Sequence, residues 1–221
     1  MGHHGHHGAA LGDEPSARRV IHSESVYTGR IWDVVQDTFE LSDGAEPLVR
    51  DYIDHPGAVA ILVMDEEDRV LLVRQYRHPV GMALWEIPAG LLDIAGEDPL
   101  DAAARELAEE ADLRAGRWAV LAEIFNTPGS SSEALRIYLA RDPQAVPEHE
   151  RFERTEEEAE MQWAWVPLQE AVQAVLAGRI HNVSAVAGVL AAAAARANGF
   201  SDLRPADTPW NAHPRFRASG G

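Results

Sequence analysis

Two hydrophobic patterns run along the chain. One is the unbroken apolar run, seen in "AVAILVM" (58–64) and, after the turn "DEED", in "RVLLVRQYR" (69–77). Short continuous runs of this kind suit strands buried on both faces of a sheet. "LWEIPAG" continues the series, "WAVLAEIFNTP" with "EALRIYLAR" predicts a strand pair, and "MQWAWVP" predicts one more strand. The other pattern is helical. It covers residues 99–111, "LQEAVQAVLAG" ending at Gly178, and "NVSAVAGVLAAAAARANG" ending at Gly199. Upstream, "SVYTGRIWDVVQDTFEL", the turn signal "SDG" and "EPLVRDYID" predict a small antiparallel sheet. So few strands make a poor core alone. This sheet is expected to rest on the main domain or on a partner chain.

Strands and helices here neither alternate strictly nor segregate, which predicts an α/β sandwich with helices on both faces of a mixed sheet. The expected organisation is a His-rich low-complexity tail (1–17), an N-terminal β-sheet subdomain (18–55), a main domain (56–204) and an irregular, proline-rich tail (205–221). "DPQAVPEHERFERTEEEAE" reads as a long polar loop.

Composition narrows the chemistry. The 221 residues include no cysteine, so disulfides, thiolate zinc sites and cysteine nucleophiles are excluded. No apolar run approaches the roughly 20 residues of a membrane span, and no secretory h-region precedes the domain, so a cytoplasmic protein is expected. The formal charge of −17 repels nucleic acid and anionic membrane. An anionic substrate would require the site to invert the local field, and bound cations do this most directly.

The stretch "GLLDIAGEDPLDAAARELAEEADL" (90–113) supplies candidates for such a site. Asp98 is a good N-cap and Pro99 suits the first helical position. With Glu106 at zero and about 100° per residue, Glu110 falls near 40° and Glu109 near 300°, while Leu100, Ala104, Leu107 and Ala111 fall between about 100° and 160°. The expectation is an apolar flank on the sheet and an adjoining flank of glutamates. Glu106 and Glu110, at i and i+4, repel unless something cationic lies between them. Hard oxygen ligands suit magnesium or manganese. The same pattern also suits a solvated charged face with an Arg105–Glu109 ion pair. The loop ahead of the helix favours the metal: Gly90 permits a tight turn that would expose the Ala89 carbonyl beside the helix.

Gly90, Glu97, Arg105, Glu106, Leu107, Glu109, Glu110 and Leu113 together resemble the signature of the Nudix hydrolase family, G-x5-E-x7-R-E-U-x-E-E-x-G-U with U a bulky aliphatic. There are two departures. Six residues separate Gly90 from Glu97, and Asp112 stands in place of the second glycine. The resemblance implies a Nudix α/β/α sandwich and makes 56–204 the catalytic domain. It implies that Glu106 and Glu110, with the Ala89 carbonyl, hold two or three Mg2+ ions, with Mn2+ as a substitute and Glu109 auxiliary. Arg105 would orient a glutamate, most plausibly Glu109, and Glu97 would support the loop or contribute to metal binding.

"VRQYRH", "WEIPAGLLD", Pro128 in "NTPGSSSE", "YTGRIWDV" and "NVSAVAGVLAA" are similar to the ADP-ribose pyrophosphatase branch of that family, from about Val20 to Trp210. This implies hydrolysis of ADP-ribose to AMP and ribose 5-phosphate by a homodimer. Arg77 suits a diphosphate because its planar fork matches phosphate oxygens. Trp32 and Arg50 are candidates for adenine, as well as for a packed aromatic and a surface arginine. Glu86 is a candidate for a ribose hydroxyl or a ligand water, and equally for support of the sheet edge. The resemblance places the general base in "RTEEEAE", at Glu158 with Glu157 as runner-up. The alternatives are another Nudix substrate (NADH, a diadenosine polyphosphate or a GDP-sugar) and a nucleotide-sugar sensor without turnover.

Overall fold

The computed structural model describes residues 11–152 and 161–217. Strands β1 (Arg19–Thr28), β2 (Asp33–Glu40) and β3 (Leu48–Asp54) form an antiparallel sheet in that order. No residue of this sheet enters either core cluster, and Val20, Val26 and Tyr27 on β1 are half-exposed or more. It is joined to the rest by the Ile53–Ser131 bridge, where Ile53 exchanges main-chain hydrogen bonds of 2.9 Å with Ser130 and Ser132.

The main sheet contains β4 (Ala58–Met64), β5 (Arg69–Arg77), β8 (Leu113–Phe125), β9 (Ala134–Ala145), β10 (Gln162–Pro167) and the two-residue β11 (Arg204–Pro205). They run β10-β5-β4-β9-β8-β11, with β4 parallel to β9 and its other ladders antiparallel. "LWEIPAG" is not one strand. It divides into β6 (Met82–Glu86), paired with β5, and β7 (Ala89–Leu91), paired with β4. Pro88 lies at the break, and proline has no N–H to give a ladder. The expected polar loop also begins later than thought, since β9 runs on to Ala145 and a short 3-10 turn covers Glu148–Glu150.

All of β4 is buried, as its unbroken apolar pattern demands. Ala58, Ala60, Leu62 and Met64 face the helices α2 (Leu168–Leu176) and α3 (Val183–Ala197). Val59, Ile61 and Val63 face α1 (Pro99–Ala111) on the other side. Three layers result, α/β/α. Among the described residues no helix is long and apolar enough to cross a membrane.

Residues 206–217 form turns rather than a regular element, yet Trp210 and His213 are buried. The His213 Nε2 lies 3.1 Å from the Pro56 carbonyl, and its Nδ1 accepts from the Arg215 amide. Those two partners define a neutral ring with the proton on Nε2. Burial pushes the His213 pKa down, with the Pro56 hydrogen bond opposing. Gly57, with φ +94°, is required here, because a Cβ would sit 2.2 Å from His213 Nε2.

Candidate active site

Helix α1 begins as its sequence demands. The Asp98 side chain accepts from the Leu100 amide at 2.8 Å, with Pro99 in the first turn. It ends at Asp112, which is left-handed (φ 52°, ψ 36°) and donates its N–H to Leu107. Asp visits that region more readily than most residues, so the missing glycine is accommodated.

The buried residues of α1 are Ala102, Ala103, Leu107 and Glu110, while Ala104 is exposed. On the wheel these buried positions fall at about 320°, 60°, 100° and 40°. The buried face is therefore centred on the glutamates and not beside them, contrary to the expected division. Carboxylates can lie on that face because the protein supplies partners for them.

Arg105 is the hub of those partners. It forks onto Glu97 with two bonds of 3.0 Å, reaches Glu106 at 2.7 Å and Glu109 at 3.2 Å. The expected Arg105–Glu109 pair is thus one of three, and Glu97 takes the two-pronged contact, which ties the loop to the helix. Hydrogen bonding to Arg105 holds the Glu97 carboxyl below its usual range, and the Glu97 bond in turn keeps the Arg105 guanidinium charged still more firmly. Glu110 is held from the other side, its Oε2 accepting the Ala89 N–H at 2.9 Å.

Gly90 serves a different purpose from the expected turn. Its φ is not left-handed, but a Cβ there would lie 1.9 Å from Glu106 Cδ. Only glycine lets the Glu106 carboxylate lie against the backbone of β7. One guanidinium thus holds the three carboxylates Glu97, Glu106 and Glu109, and Glu110 lies beside them on the Ala89 amide. Among the described residues no three acidic or histidine side chains already converge as a metal-binding group. The donor set nonetheless fits a hard divalent cation, since carboxylate oxygens gather on one face of α1 and Gly90 lets the Glu106 carboxylate lie against β7.

A cavity of about 520 Å³ opens beside this cluster, lined by Trp32, Arg77, Glu86, Ala89 and Gly90 among others. Arg77 forks onto the buried Glu86 at 3.0 and 2.7 Å. Arg50 and Pro128 do not line the cavity; the Arg50 guanidinium bonds the Val49 carbonyl. The cavity also takes in His55, Asn126, Glu133 and Ser184, which sequence patterns did not single out. They come from the end of β3, the β8–β9 connection and the start of α3. Burial lowers the His55 pKa, with Glu133 opposing. The one available signal was Asn182, a good N-cap, which places the start of α3. Glu157 and Glu158, the candidate bases, lie outside the described residues.

A family model described as the NUDIX domain matches residues 54–186, more than half of the chain. The chain belongs to the Nudix family. The stretch that resembles the family signature, residues 90–113, lies within the matched residues. The chain is 45% identical over 194 residues to an ADP-ribose pyrophosphatase of Mycobacterium tuberculosis, covering 88% of this chain and 91% of that protein. It is 31% identical over 171 residues to a methanol dehydrogenase activator of Bacillus methanolicus, covering 77% and 90%. A solved structure described as an ADP compounds hydrolase superposes with a TM-score of 0.66 at 20% identity, covering 85% of this chain and 99% of the other. That likeness shows the Nudix fold.

Proposed function

We propose that this Nudix hydrolase cleaves the diphosphate of ADP-ribose with water, giving AMP and ribose 5-phosphate. The observation that carries the reading is the gathering of Glu97, Glu106, Glu109 and Glu110 around Arg105 and the Ala89 amide, with Ala89 and Gly90 lining the 520 Å³ cavity. It stands in a chain 45% identical to a protein named for that activity.

In this mechanism Glu106, Glu110 and the Ala89 carbonyl hold magnesium, with manganese as a substitute and Glu109 as auxiliary. Bound cations would neutralise the diphosphate and acidify a water. Arg105 keeps Glu106 and Glu109 in register with the loop through its bond to Glu97. Arg77 presents a planar cation to a phosphate oxygen, steadied by Glu86. Trp32 offers a flat face for adenine, while Arg50 and Pro128, outside the cavity lining, have no substrate contact in this mechanism. Glu158, or its neighbour Glu157, takes the proton of the attacking water; one P–O bond forms and the bridging P–O bond breaks.

The reading carries a cytoplasmic location and a homodimer joined through the 18–55 subdomain. The dimer is supported by the apolar side chains that β1 leaves exposed. Light scattering at micromolar concentration should give twice the 24.2 kDa chain mass, and a monomer would reject it.

The decisive experiment is a hydrolysis panel with magnesium and ADP-ribose, NADH, a diadenosine polyphosphate or a GDP-sugar. AMP and ribose 5-phosphate should form fastest from ADP-ribose, and only with a divalent cation. Faster turnover of another substrate would replace the reading, and binding of ADP-ribose without turnover would make the chain a sensor.

A further inference from the structure

Trp163 is 43% exposed, yet its single polar atom is spent on another element. The indole Nε1–H donates to the Glu110 carbonyl at 2.9 Å, joining β10 to the last turn of α1. Carbonyls in a helix's last turn have no partner within the helix, so this bond comes from outside by necessity. Glu110 is thereby gripped at both ends, its main chain by Trp163 and its carboxylate by the Ala89 amide. The two grips come from different strands of one sheet. Trp163 pairs with Val73 on β5, and Val73 pairs in turn with Glu86 on β6. Trp163 therefore ties α1 to the strands that carry Arg77 and Glu86.

We propose that Trp163 is a positioning residue for the Glu110 carboxylate, setting where the cation is held relative to Arg77 and Glu86. The proposal rests on the reading of the cluster as a divalent-metal site. It goes beyond that reading, because Trp163 belongs to neither the Nudix loop nor its helix. Without the indole N–H, the last turn of α1 loses one of its ties to the sheet, the Ala89 amide remaining, and Glu110 drifts by fractions of an ångström. Small misplacements of a catalytic geometry cost far more in rate than in stability.

Trp165 provides the control. It lies on the same face of β10 two residues on, and among the described residues its indole has no hydrogen-bond partner such as Glu110 gives Trp163. The variants Trp163→Phe and Trp165→Phe should both fold, since each residue is more than a third exposed. Mn2+ affinity is measured by electron paramagnetic resonance without substrate, and kcat and KM with ADP-ribose and magnesium. For Trp163→Phe the Mn2+ Kd should rise about tenfold and kcat should fall about tenfold or more, with KM within about twofold. Trp165→Phe should leave all three near wild type. Wild-type Mn2+ affinity and kcat in Trp163→Phe would overturn the proposal, even if its Tm fell, and so would equal losses in Trp165→Phe. If the wild-type protein does not hydrolyse ADP-ribose but the Mn2+ affinities separate as stated, the substrate reading fails and the positioning role stands.

Discussion

Two arginines in this molecule are surrounded by other groups, and they lead to opposite outcomes. Arg105 on α1 holds the three carboxylates Glu97, Glu106 and Glu109 within 3.2 Å. Arg136 on β9 is buried at 2% exposure and faces the single carboxylate Glu123 at 2.9 Å, the Thr208 carbonyl at 2.9 Å and the Trp210 ring at 4.8 Å. Glu123 is further neutralised by Arg204 at 3.1 Å. The Arg136 knot is closed, since its one carboxylate lies between two guanidiniums and the other Arg136 donors meet a carbonyl and an aromatic ring. The Arg105 cluster instead gathers several carboxylates on one guanidinium, next to the strand whose Ala89 and Gly90 line the cavity, and the proposed function makes it a site rather than a brace. Ion pairs alone do not separate function from structure; how many carboxylates share one guanidinium, and whether they lie beside a cavity, does.

The contrast makes the Nudix helix the place where substitutions cost rate at little expense in stability. Glu106→Gln and Glu110→Gln should each lower kcat on the order of 10²–10³-fold with the circular dichroism spectrum intact. The helix even loses some like-charge strain. Near-normal turnover in both would remove the cation from the account. Next in size is Gly90→Ala. Its Cβ falls where Glu106 Cδ now lies, so the carboxylate must move, and turnover should drop roughly 10²-fold. Unchanged kcat/KM there would mean that the Glu106 position is not critical.

The closed knot should behave in the reverse sense. Arg136→Met leaves Glu123 without its principal partner in a mostly buried position and should destabilise the fold by roughly 3–5 kcal/mol. The folded fraction should keep its kcat, as denaturant titration with activity normalised to folded protein would reveal. Gly57→Ala should cost roughly 1–3 kcal/mol through its positive φ plus the contact with His213, again with kcat kept. A large loss of kcat in either variant would collapse the distinction between the two regions.

The smallest effect expected is a pH dependence. The folded pKa of His213 lies below its ordinary 6.5, so the unfolded chain binds the proton more readily. The stability contributed by His213 is therefore fully present above about pH 6.5 and is lost progressively as pH falls from there towards the folded pKa. His55, also lowered, acts in the same direction. Calorimetry should show Tm falling between pH 7 and pH 5, less steeply in His213→Gln. An identical slope in that variant would exclude His213.

Much of the fold was legible in local pattern. The buried run of β4, the cap and first-turn proline of α1 and the Asn182 cap of α3 are short-range signals, and local physics answers them. The break at Pro88 was also written in the chain but needed the missing N–H to be read as an interruption. The spacing of Arg105, Glu106, Glu109 and Glu110 identified the family and the candidate ligands, because residues three and four apart on a helix must be neighbours. What spacing could not determine was anything depending on which surfaces meet. The glutamates lie on the packed face of α1 because Ala89 and Arg105 partner them there. Gly90 is a glycine because Glu106 approaches it from another element. Trp210 and His213, in a stretch without periodicity, are buried because the loop at Pro56–Gly57 offers them a carbonyl and a vacant Cβ position. Periodicity governs contacts within an element; contacts between residues far apart in the chain exist only once the sheet has brought them together.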